Sequence, residues 1–106
     1  RIEVKDGYAT KITGGEEADR LREKLESLGK QAFNIAELGI GINENARIIG
    51  NVLEDEKAYG TVHIALGNNT SWGGSCTVQI HVDGIIKSPT LFFDDKEVMR
   101  EGKFLI

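Results

Sequence analysis

From Arg1 to Thr13 apolar and polar residues alternate on both sides of Asp6-Gly7, the dipeptide expected at a two-residue hairpin turn. The pattern predicts strands at about 2–5 and 8–13, which Gly14 and Gly15 then interrupt. Beyond them the period changes. Ala18, Leu21, Leu25 and Leu28 recur at spacings of three and four, one face of a helix over about 16–28, with charged residues filling the other positions. Glu16, Glu17 and Asp19 fall in its first turn, where the helix dipole favours anions, and Gly29 is placed to end it.

The second half of the chain reads as strands separated by turns. In "AFNIAELGIGIN" Phe33, Ile35 and Glu37 occupy alternate positions and so share one side of a strand. "TVHIALG" puts Val62, Ile64 and Leu66 on one face and His63 on the other, polar one. After the Gly/Asn/Ser-rich loop "GNNTSWGGS", the run "CTVQIHVDGII" sets Val78, Ile80 and Val82 against His81 and Asp83. Turns at Ser88-Pro89 and Asp94-Asp95 frame "TLFF", and "FLI" closes the sequence. One main helix and six or seven strands joined by short turns predict an α+β domain with a mixed, mostly antiparallel sheet.

Composition narrows the function classes. With 106 residues, 40% hydrophobic and 28% charged, the chain has the size and balance of a single globular domain, 1–106. It begins at Arg1, so we expect it to be part of a longer chain. No apolar run reaches the roughly 20 residues of a membrane span. A net charge of -4 without clustered Lys and Arg argues against nucleic acid. The single cysteine, Cys76, excludes an internal disulfide framework and fits a reducing, cytoplasmic setting. Gly39-Ile40-Gly41 lacks the third glycine of a dinucleotide loop.

Chemistry concentrates in few side chains. His81 and Asp83 lie at i and i+2, which turns an imidazole and a carboxylate toward one space. His63, the other histidine, is expected to behave likewise, and Glu37 brings a carboxylate in line with apolar neighbours. Two imidazoles and two carboxylates without a thiolate suit zinc, cobalt, manganese or iron. Plainer readings are a water-facing His81 and Asp83, and a salt bridge from Glu37 to Arg47. Glu54-Asp55-Glu56 reads as the solvated start of a short helix from which Glu56 could support a ligand. Trp72 reads as a loop anchor, with a substrate-side lid as the alternative.

The order "VKDGYATKITGGEEADRLREKLESLGKQAFNIAELGIG", "EDEKAYGTVHIALG" and "HVD" resembles the C-terminal region of the thermophilic-type metalloaminopeptidases, the aminopeptidase T and aminopeptidase S family, leucyl aminopeptidase-like hydrolases. The resemblance implies a homodimeric metalloprotease that removes the N-terminal residue of a peptide substrate through water activated by two divalent ions, zinc, cobalt or manganese. On that basis Glu37, His63, His81 and Asp83 are metal ligands, and the fragment alone is inactive. Two departures stand out. Thr70 occupies the place of the family's tyrosine, seven residues after His63, and the His63 to His81 spacing is shorter than the family's. A further glutamate ligand of the family would precede Arg1. The dihydroxypyridine ring-cleaving dioxygenases share this C-terminal layout, and there His63, His81 and Asp83 would form the two-histidine, one-carboxylate triad of a non-haem iron site. A third reading is a non-catalytic, structural or metal-binding domain.

Overall fold

A computed structural model describes residues 1–106. The elements in chain order are β1 (Ile2–Lys5), β2 (Tyr8–Ile12), α1 (Glu16–Leu28), β3 (Ile35–Ile40), α2 (Val52–Asp55), β4 (Val62–Gly67), β5 (His81–Ile86), β6 (Leu91–Phe93), β7 (Lys96–Arg100) and β8 (Lys103–Phe104). The strands form three antiparallel sheets, ordered β1-β2, β3-β4-β5 and β6-β7-β8. The α+β class and the single main helix are as the pattern predicts, with eight strands where six or seven were read.

By its contacts the chain divides into two units, residues 1–37 with 65–82 and residues 38–64 with 83–106. In the first unit, Asp6 (φ 53) and Gly7 (φ 81) both adopt the left-handed conformation that a tight hairpin turn requires, and β1 pairs with β2 across them. Gly29 (φ 92) ends α1, where a side chain would be strained. The apolar stripe of α1 then does what its period implies. Leu25 is fully buried against Ala9, Ile12, Ala32 and Leu66, with Phe33 and Ile35 packed around them.

In the second unit Val62, Val98 and Met99 are buried, and Tyr59 meets Phe104 edge to face at 5.1 Å between centroids. The β7–β8 turn repeats the hairpin chemistry, with Glu101 (φ 48) and Gly102 (φ 79) both left-handed. On β7, Arg100 grips Glu97 through two bonds of 2.6 Å, and this hydrogen-bonded guanidinium holds the Glu97 carboxyl below the usual carboxylate range.

Several expectations need correction. Phe33 does not share a strand with Glu37, because Lys30–Phe33 winds into a 3-10 turn and β3 starts only at Ile35. Residues 76–80 are likewise outside β5; Asn68 binds the carbonyls of Val78 and Ile80 in that approach. The acidic run is not solvated throughout. Asp55 is buried at the end of α2, where its carboxylate accepts the Ile49 N–H at 2.8 Å. Trp72 is 71% exposed and anchors nothing. No helix is long and apolar enough to cross a membrane.

Candidate metal centre

Strand β5 begins at His81, so the alternation that places His81 and Asp83 on one face is intact. What surrounds His81 fixes its chemistry. Its Nδ1 lies 2.7 Å from the main-chain carbonyl oxygen of Asn68. A carbonyl can only accept, so the ring proton sits on Nδ1. Nε2 faces Glu37 Oε1 at 3.2 Å. A lone pair set against a carboxylate oxygen repels it unless a proton or a metal cation lies between them. Two ligands bound to one cation at about 2.1 Å each stand about 3 Å apart at near-right angles. The observed separation fits that arrangement.

Asn68 was not singled out by the sequence, yet it is the residue that sets the His81 tautomer. It follows β4 directly, and nearly every polar group it carries is engaged. Its N–H donates to Ile80 O at 2.8 Å, and its side-chain oxygen accepts from the Thr70 N–H at 2.9 Å and the Thr70 hydroxyl at 2.7 Å. Its side-chain amide reaches Val78 O at 3.3 Å. The available signal was local: an asparagine two residues before a threonine at a strand end commonly bonds that residue's backbone. Thr70, expected as a support behind the ligands, touches His81 only through Asn68.

His63 sits differently from its expected position on a polar face. It lies in a strand that is buried except at the half-buried Ile64, and it is itself only 8% exposed. A Cβ built on Gly39 would overlap Cε1 and Nε2 of its ring, so the β3 backbone lies directly against the imidazole. The nearest acid is Glu56, with Oε2 3.8 Å from Nε2, and Nδ1 is buried with no hydrogen-bond partner. Glu56 is positioned by α2, which Asn51 caps by accepting the Leu53 N–H at 3.0 Å, and it also contacts Lys57. The two histidines therefore take different acidic partners, His81 with Glu37 and His63 with Glu56. The alternative salt bridge of Glu37 is not to Arg47; its partner is His81.

Comparison with known proteins decides the class. The chain belongs to a family of ring-cleaving dioxygenases, oxidoreductases and not hydrolases. The family is that of NicX, 2,5-dihydroxypyridine 5,6-dioxygenase, whose model matches residues 1–106. A protein of Pseudomonas putida KT2440 named 2,5-dihydroxypyridine 5,6-dioxygenase is 27% identical over 111 residues, covering 95% of this chain and 32% of its own length. The solved structure of 2,5-dihydroxypyridine dioxygenase from the same organism superimposes with a TM-score of 0.78 at 26% identity, covering 98% of this chain and 33% of that one. The chain thus spans about a third of the relatives it matches.

These findings overturn the aminopeptidase assignment, with its metalloprotease and leucyl aminopeptidase chemistry. The reason is physical. Hairpin, charged helix, glutamate strand and His-x-Asp strand specify a sheet and a set of donors, and that layout serves oxygenation as well as hydrolysis. The positions that differed from the aminopeptidases, Thr70 and the short His63 to His81 connection, were the informative ones. The Thr70 hydroxyl is committed to Asn68.

Proposed function

We propose that this chain is the metal-bearing portion of an iron-dependent dioxygenase that opens the ring of a dihydroxylated pyridine, with Glu37 and His81 as metal ligands. Family membership supports the reaction class. The observation that carries the site is the Asn68–His81–Glu37 arrangement, in which a main-chain carbonyl accepts from Nδ1 and Nε2 faces a carboxylate oxygen at 3.2 Å. Second-row hydrogen bonds of this kind orient metal-binding imidazoles and raise their basicity. Nitrogen and oxygen donors without thiolate suit ferrous iron, and nothing in this donor set selects zinc, cobalt or manganese, or calls for two ions. Bound iron would supply the redox chemistry that couples dioxygen to the ring. His63 was also expected to be a ligand; its nearest acid is Glu56, at 3.8 Å, and the iron content of a His63 variant tests that role.

The protein's own residues have defined tasks in this reading. Asn68 holds the His81 proton on Nδ1, Thr70 holds Asn68, and Glu37 supplies negative charge to balance the cation. The test is direct. Full-length protein reconstituted with ferrous iron should consume oxygen when given 2,5-dihydroxypyridine and should bleach the substrate's ring absorbance. Bound iron with no oxygen uptake on this substrate would refute the reaction, and failure to bind iron would refute the site. Asn68→Ala is expected to weaken iron binding about tenfold to a hundredfold, since it frees the loop whose carbonyl orients His81. An iron titration followed by oxygen-uptake recovery reads this out.

A further inference from the structure

Buried polar groups are rarely left without a partner, and each exception calls for an explanation. His63 is such an exception, since neither ring nitrogen makes a hydrogen bond within the protein. A proton on Nδ1 would be a buried donor with nothing to bind, which costs more than a buried lone pair does. The proton therefore belongs on Nε2, facing Glu56, the opposite tautomer from His81. The separation of 3.8 Å is too long for a direct hydrogen bond. One oxygen atom set to the side of the line between them can still lie about 2.8 Å from each group. The side chains are 10% and 13% exposed, so both are largely desolvated.

We propose that His63 and Glu56 form a subsite for one ring hydroxyl of the aromatic substrate, the hydroxyl donating to Glu56 Oε2 and accepting from His63 Nε2–H. The proposal rests on the dioxygenase reading for the identity of the substrate. The pair offers one donor and one acceptor, the complement of an O–H group. It is also held rigidly. Gly39 brings the β3 backbone against the imidazole so that the ring cannot swing, and the capped α2 fixes Glu56. A site built to bond a hydroxyl discriminates strongly against analogues that lack it, because its own groups are then left unpaired. The subsite therefore sets selectivity for a dihydroxylated over a monohydroxylated ring.

The test uses iron-loaded full-length protein, its His63→Phe and Glu56→Leu variants, and calorimetric binding of 2,5-dihydroxypyridine, 2-hydroxypyridine and 3-hydroxypyridine. Both variants should keep the wild-type iron content and lose roughly tenfold or more in affinity for the dihydroxy ring. For the monohydroxy ring that lacks the recognised group the affinity should stay unchanged, so selectivity collapses. Should either variant fail to fold, Glu56→Gln is expected to shift selectivity in the same direction by a smaller factor. Loss of iron in His63→Phe would make His63 a ligand and overturn the subsite. Unchanged selectivity would mean that the gap holds a water only. A wild type that binds the dihydroxy ring selectively without oxygen uptake would sink the reaction while the variants still judge the subsite. One that binds none of the three rings overturns both.

Discussion

Replacing His81 by alanine is expected to leave the full-length protein with trace iron and to lower oxygen uptake on 2,5-dihydroxypyridine by more than about a hundredfold. The substitution removes the imidazole whose Nε2 faces Glu37. The Asn68 carbonyl accepts from Nδ1, and Glu37 Oε1 stands 3.2 Å from Nε2. Without the imidazole, Glu37 would have to hold the ion with water in place of nitrogen. The His81 side chain is 35% exposed and lies outside the hydrophobic core, so the fold should survive, and the thermal midpoint should stay near that of the wild type. Elemental analysis alongside circular dichroism separates the outcomes. A folded His81→Ala protein that retains its iron would contradict the ligand assignment.

Gly39→Ala is expected to be among the most destabilising single-methyl additions in the chain. The new Cβ would overlap the His63 ring, which is buried in β4 and has little room to retreat. Forcing an extra carbon into such a contact costs about 1–3 kcal/mol through off-rotamer side chains and backbone shifts. The imidazole would be pushed out of its approach to Glu56, so the stability loss should come with changed ring selectivity. Urea unfolding of Gly39→Ala measures the first effect and ligand binding the second. Full stability would show that the β3 backbone has more freedom at this point than the packing implies. No such overlap exists at Gly7, where a built Cβ meets open space, although its positive φ would still oppose a side chain there.

How far the sequence disclosed all this depends on whether each feature is local. Hairpin turn and helix follow from Asp6-Gly7 and from the spacing of Leu21, Leu25 and Leu28, which involve near neighbours only, and both were legible. The His81 and Asp83 pairing is also local, a matter of alternation along one strand. The burial of His63 is not. It depends on a glycine 24 positions earlier presenting bare backbone to its ring, and a one-strand pattern cannot contain that. Asp55 and Glu56 were misread for a related reason: charge predicts solvent, unless other parts of the chain supply partners such as the Ile49 N–H. The reaction class was hidden at a further level. Donor residues and their order describe a metal-binding sheet, and that description is common to hydrolases and oxygenases.

The connection after β4 has a consequence of its own. Asn68 and Asn69 tie its two ends together, Asn68 through Ile80 and Val78, Asn69 through Cys76 and Gly74. Only the short stretch around Trp72 lies beyond these clips. Extra segments grafted at that tip would lengthen the excursion without disturbing the carbonyl that orients His81. Lineages could thus vary the rim of the enzyme through this one hairpin bend while the ligand geometry is inherited unchanged.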